Sequence, residues 1–133
     1  MATAVALQSR EPLDRGFSPP SASERPVDLV HLSRFTLGDE KLEREVLQLF
    51  RAQTRVYLDR LESAADSASW RHAAHTIKGS ARGIGAWAVA SAAQFAEELA
   101  DAPAGKGAAA AIKELRSAVE AAMTFIDALL GDR

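Results

Sequence analysis

From Val27 to Leu130 the apolar residues return every three or four positions, and no stretch alternates with the period of two that a strand requires. A chain patterned this way buries its apolar surface by packing helices on one another. Glycine, proline and aspartate divide the pattern into segments. Leu29, Val30 and Leu32 open a short first helix that reaches about Phe35, and Gly38 punctuates it. Asp39 is a plausible N-cap for a second helix, which carries Leu42, Val46, Leu49, Phe50, Val56 and Tyr57 and ends near Ala64. Asp66 can cap a third, running to about Ile84, where Gly83 and Gly85 interrupt it. A fourth, from about Ala86 to Ala100, has Val89, Ala92, Ala93, Ala96 and Leu99 on one side. The segment DAPAGKG then breaks the chain. The last helix holds Ile112, Leu115, Val119, Ala122, Ile126 and Leu129, and Gly131 ends it.

Four substantial amphipathic helices with short connections imply an all-α fold, an up-down-up-down four-helix bundle over residues 27–133. The short first helix would cover one end. Residues 1–26 read as a flexible Pro-rich tail: Pro12, Pro19, Pro20 and Pro26 fall here, and GFSPPSASERP follows neither hydrophobic period. Composition agrees with helices. Hydrophobic residues make up 47% of the chain but aromatics only 6%, and alanine is plentiful, which favours closely packed helices over a β-sandwich.

The net charge of −2 argues against nucleic acid or an anionic membrane as main partner, since both call for a basic excess. The absence of cysteine excludes disulfides, thiolate catalysis and cysteine metal sites. No apolar run approaches the roughly 20 residues that span a bilayer. The start, MATAVALQSR, lacks the basic region of a secretory signal. The expectation is a soluble, cytoplasmic monomer.

The chemistry is concentrated in WRHAAHTIKGSARGIGA, from Trp70 to Ala86. On a helical wheel with His75 at zero, Trp70, Ala73, Ala74, Ile77, Ala81 and Ile84 fall in an arc from about 160° to about 260°, the core face. His75 points the opposite way, and His72, Lys78, Gly79 and Arg82 lie within about 60° of it. A neutral imidazole is a good nucleophile at physiological pH, its unperturbed pKa being about 6.5. It can attack phosphorus and hold the group as a phosphoramidate. Lys78, one turn on, can set a point charge against phosphoryl oxygens. Gly79 costs a helix interior roughly 0.5–1 kcal/mol relative to alanine. The side chain it lacks clears space one turn above His75. Arg82 can add charge to the same face.

Each part has a plainer reading. A lone exposed histidine is usually only surface, and Lys78 with Arg82 could be an ordinary solvated face. His72 and His75 do not have the i, i+4 spacing of zinc helices and no third ligand is evident, so no metal is expected.

Together, however, AHTIKGSARGIGA closely resembles the motif of histidine-containing phosphotransfer (HPt) domains. That motif reads roughly His-x-hydrophobic-Lys-Gly-small-small with a glycine ten residues after the histidine. His75, Ile77, Lys78, Gly79, Ser80, Ala81 and Gly85 match it. The resemblance covers about Val27 to Leu130. It implies a four-helix bundle without ATPase or autokinase activity of its own. It implies that His75 takes a phosphoryl group from an aspartyl phosphate on one response-regulator receiver domain and delivers it to another, with a hybrid histidine kinase upstream. Lys78 would stabilise the phosphate charge. Mg²⁺ is expected on the receiver, and no cofactor on this chain. Ser80 leans toward the core, so packing is its expected role. Many members carry a polar residue near the histidine on the following helix, commonly glutamine. Simple offset gives Glu97 here, but a carboxylate would repel a phosphoryl group, so Glu97 is not assigned to the site, and Gln94 less so. Leu29, Leu32 and Phe35 of the first helix, with the exposed side of the second, are a candidate docking rim.

Overall fold

The computed structural model describes residues 25–131. Among them are five helices and no strand: α1 (Leu29–Thr36), α2 (Glu40–Glu62), α3 (Ser67–Ile84), α4 (Trp87–Glu97) and α5 (Ala108–Leu130). The tail expected over residues 1–26 lies outside the described residues except for Arg25 and Pro26. Val27 is already fully buried.

Aspartate starts three of the helices. Asp28, Asp39 and Asp66 sit in extended backbone, and each side chain accepts a hydrogen bond from the N–H three residues on. Glycine ends two of them. Gly85 closes α3 and Gly131 closes α5, both in the left-handed conformation. Gly83, expected to help end α3, stays inside the helix; the left-handed turn that stops it falls at Gly85 alone. α4 is shorter than the expected span to Ala100. Its last N–H groups, on Glu98 and Leu99, turn back to Phe95 and Ala96, so the helix tightens and stops. Leu99 packs against the core from this turn.

The four long helices close a ring in chain order, α3 between α2 and α4, and α5 against both α4 and α2. α1 lies across α2 and α3 at one end. Trp70, Leu47, Leu61, Ile77, Leu115 and Ile126 are fully buried in the shared core. The residues of α3 that face inward are Trp70, Ala73, Ala74, Ile77, Ala81 and Ile84, the arc the helical wheel gives. Ala90, Ala93 and Ala96 of α4 are buried, and α3 and α4 pack extensively on each other. Trp70 Nε1 donates to the Ala96 carbonyl at 2.7 Å and locks the start of α3 to the end of α4. Left unmade in the interior, such a bond would cost about 1–3 kcal/mol.

α2 departs from the expected pattern. Its inward face is Leu47, Phe50, Thr54, Leu58 and Leu61, while Leu42, Leu49 and Val56 are exposed. The helix carries two apolar stripes, and the larger one, Leu47, Phe50, Leu58 and Leu61, is buried. Arg44 donates to the Leu130 carbonyl, Arg51 pairs with Asp127, and Glu62 pairs with Arg116, so this flank faces α5. That rotation turns Leu42, Leu49 and Val56 outward. In α1, Leu32 is buried and so belongs to the core rather than to a docking rim; Val30 and Phe35 are its exposed apolar residues. In α5, Leu129 is partly exposed at the end of an otherwise buried stripe.

Asp28 ties α1 to the turn between α3 and α4. Its N–H donates to the Gly85 carbonyl at 2.9 Å, and its carboxylate accepts from Trp87 Nε1 at 3.0 Å. A Cβ at Gly85 would lie 2.8 Å from Asp28 Cβ and 3.0 Å from the Asp28 carbonyl oxygen, and φ there is +79°. Gly85→Ala therefore meets both a left-handed penalty of about 1–2 kcal/mol and a backbone contact that cannot move cheaply. Urea unfolding should show at least that loss. An unchanged midpoint would mean that α1 is not held against this turn.

Candidate functional site

His75 sits in the middle of α3 on the face opposite the core, and its side chain is 66% exposed. It is not free, however. Its Nδ1 lies 2.9 Å from Oε2 of Glu97, the last residue of α4. The other carboxylate oxygen, Oε1, pairs with Lys78 Nζ at 2.6 Å and takes no further bond. Glu97 thus joins the two residues that the motif sets one turn apart on α3. Lys78 is only 12% exposed and Glu97 23%. The wheel placed Lys78 on the outer strip; its side chain instead folds along the helix toward α4, because a carboxylate waits there. Glu97 was set aside on the argument of phosphate repulsion. In the structure it faces Nδ1 of the ring.

The geometry selects a tautomer. A carboxylate can only accept, so Nδ1 must carry the hydrogen of this bond, and Nε2 keeps its lone pair. Among the described residues nothing bonds to Nε2. The Lys78 ammonium, donating to Glu97, holds the carboxyl below its ordinary pKa; burial opposes this, and the His75 bond reinforces the lowering. Glu97 is therefore an anion at neutral pH.

Gly79 leaves the expected opening, since a Cβ there would meet nothing within 4 Å. Arg82 does not reach His75. Its Nη2 donates to Gln94 Oε1 at 3.4 Å, and Gln94 Nε2 donates to Glu98 Oε2 at 2.5 Å. Gln94 accordingly belongs to this neighbouring polar chain. His72 turns the other way, its ring edge-on to Tyr57 with centroids 6.3 Å apart, and the Arg60 guanidinium covers Tyr57 at 4.8 Å. The two histidines do not converge. Leu42, Leu49 and Val56 repeat at heptad spacing on α2, and Arg60 lies one turn beyond Val56. They form an exposed apolar stripe beside the histidine face.

The family model of the Hpt domain matches residues 45–125. The chain belongs to the Hpt domain family. Among solved structures it is similar to the histidine phosphotransferase ShpA from Caulobacter crescentus, at 30% identity and a TM-score of 0.64, over 80% of this chain and 92% of that one. No match was found among curated proteins. The helical bundle is thus that of an Hpt domain, and among the described residues no helix is long and apolar enough to cross a membrane.

The direction of the Glu97 shift has a measurable consequence. A carboxyl with lowered pKa stabilises the fold at pH above its ordinary range, and the contribution is lost as pH falls through the lowered value. Carboxyl ¹³C NMR should place the Glu97 midpoint below 4.5, and Lys78→Met should raise it. A midpoint unmoved by that substitution would show that Lys78 does not hold the carboxylate.

Proposed function

We propose that this Hpt domain shuttles phosphoryl groups between receiver-domain aspartates through His75 Nε2, as a monomer in the cytoplasm. The observation that carries the reading is the pairing of an anchored Nδ1–H with an open Nε2 on an exposed helix face. Family membership and the similarity to a histidine phosphotransferase support the reaction class. The donor would be an aspartyl phosphate on one receiver, loaded by a hybrid histidine kinase, and the acceptor an aspartate on another.

In the forward step the Nε2 lone pair forms the N–P bond as the acyl P–O bond breaks, and the receiver carboxylate leaves with that electron pair. The return step is its reverse. Little covalent work falls to the protein, so catalysis is mostly positioning and charge stabilisation. Glu97 fixes the ring, Lys78 supplies positive charge within reach, and Gly79 leaves room for the partner's active site. The receiver would bring its aspartate and Mg²⁺. Arg82, engaged with Gln94, contributes to the field of the face rather than to the phosphate itself.

The exposed stripe of Leu42, Leu49 and Val56, with Phe35 and Val30 on α1, gives a receiver an apolar surface to dock on. A shuttle must release its partner, so an interface at the small, transient end of the size range suits it.

Incubation with a phosphorylated receiver should place acid-labile, base-stable label on the wild type and on His72→Gln, and none on His75→Gln. Label retained in His75→Gln would move the site to His72. No label on the wild type from any receiver would leave a helical interaction module instead. Lys78→Ala should slow transfer by about tenfold or more, equivalent to about 1.4 kcal/mol of barrier, with the bundle still folded. Gly79→Leu should block transfer while keeping or raising helix stability.

A further inference from the structure

Beside the histidine face stands a cation that no carboxylate among the described residues neutralises. Arg60, in the last turn of α2, lays its guanidinium over the Tyr57 ring at 4.8 Å. The residues one turn before and after it, Val56, Tyr57, Ser63 and Ala64, are uncharged. No acidic side chain among the described residues comes within ion-pair range of it. By contrast, Arg51 on the same helix pairs with Asp127, and Arg116 on α5 pairs with Glu62.

Arg60 also lines a hollow of about 560 Å³ between the end of α2 and the start of α3. Ala64, Ala68 and Ala73 give it apolar walls, and His72 stands across from Arg60. An imidazole carries at least one N–H in either protonation state, so His72 is a second donor. Of the two serines at the hollow, the Ser63 hydroxyl already donates to the Asp59 carbonyl at 2.9 Å. The Ser69 hydroxyl is bonded to Asp66, which caps α3 and does not line the hollow. The space therefore offers one permanent cation and one further N–H above apolar walls, and no acid lines it.

We propose that this hollow is a docking socket for a carboxylate side chain on the receiver surface, and that Arg60 is a specificity-determining residue that selects which receivers dock, a role that rests on the phosphotransfer reading above. Its place fits. His72 and Ser69 lie three and six residues before His75 on α3, which sets the hollow about 5–9 Å along the helix from the phosphate carrier. A standard interface covers about 800 Å² per partner, a disc of about 16 Å radius, so a receiver seated on His75 reaches the hollow. Glu97 and Lys78 meet at the α4 side of the imidazole, which leaves the α2 side for recognition. The exposed stripe of Leu42, Leu49 and Val56 runs into Arg60 one turn on, so an apolar docking surface ends in a fixed cation.

The socket is also ordered before anything docks. Tyr57 is half-buried and packed on the core. Its face carries Arg60, and its ring meets the His72 ring edge-on at 6.3 Å. A guanidinium already stacked loses less side-chain freedom when it binds. A carboxylate entering the hollow accepts charge-assisted bonds from the Arg60 fork. A lysine or arginine presented at the same point meets a like charge, and discrimination follows from that repulsion as much as from the attraction.

Transfer from a phosphorylated receiver that labels the wild type, measured at increasing concentrations of the full chain, separates docking in KM from chemistry in kcat. Arg60→Ala should raise KM by at least about fivefold, the threshold of an interface anchor, with kcat unchanged. Arg60→Glu should raise it by about tenfold or more. Arg60→Lys keeps the charge without the planar fork and should fall between wild type and Arg60→Ala. Added salt should raise the wild-type KM more than that of Arg60→Ala. Among receivers with single Asp or Glu residues changed to Lys outside their own active site, one should restore the KM of Arg60→Glu. Phosphoramidate, a small donor that needs no docking, should load His75 in Arg60→Glu as it does in the wild type.

A wild-type KM in Arg60→Glu, or a loss confined to kcat, would overturn the proposal and leave His75 as the phosphate carrier. Saturable shifts of the Arg60 and His72 NMR signals with inorganic phosphate, together with that unchanged KM, would make the hollow a site for free anions instead. Failure of phosphoramidate and phosphorylated receivers alike to label His75 would overturn the phosphotransfer reading, and this proposal with it. Circular dichroism melting should show each variant folded at the assay temperature, which separates these results from misfolding.

Discussion

The close approach of α3 and α4 is the constraint on which the site depends. Small residues are buried on both helices, Ala74 and Ala81 on α3 and Ala90, Ala93 and Ala96 on α4. Small side chains let the helices approach, and the Trp70–Ala96 bond fixes their relative position at the end where α4 stops. That position brings Glu97 to His75 Nδ1 and Lys78 together. With bulkier residues along this seam the carboxylate would stand out of reach and the imidazole would rotate freely. The bare Gly79 beside it would then be a helix defect with no compensation.

The opposite flank of the bundle solves a different problem. α2 carries more apolar surface than the core can hold. Arg44, Arg51 and Glu62 clasp α5, while Leu42, Leu49 and Val56 stay in solvent. Exposed pairs of this kind contribute little to stability, about 0–1 kcal/mol each. Burial of Leu47, Phe50, Leu58 and Leu61 is worth far more and sets which stripe faces inward. The stripe left outside borders the histidine face.

The parts legible in the sequence are those set by periodicity within one helix. The inward arc of α3 and the outward aim of His75 follow from a 100° step alone, and the caps Asp39 and Asp66 follow from the chemistry of helix ends. Two kinds of information were not legible. One is the choice between competing stripes on α2, which depends on how that helix is rotated against α3 and α5. The other is Glu97, whose role depends on how far α4 slides along α3. A wheel describes one helix and cannot give that offset. The signal that could have found Glu97 was charge: Lys78 needed an anion in reach in the resting state, and Glu97 on the next helix was available to supply it. The electrostatic objection to Glu97 did not ask which ring nitrogen it faces, and that nitrogen is Nδ1.

The central claim is that His75 presents Nε2 as a nucleophile because Nδ1–H is held by Glu97. Imidazole ¹⁵N NMR of the resting protein, followed by phosphorylation and a search for phosphorus–nitrogen coupling, tests it most directly. The account predicts a single neutral tautomer with hydrogen on Nδ1, and coupling of phosphorus to Nε2 of His75. Hydrogen on Nε2 at rest, or phosphorus on Nδ1 or on His72, would contradict it.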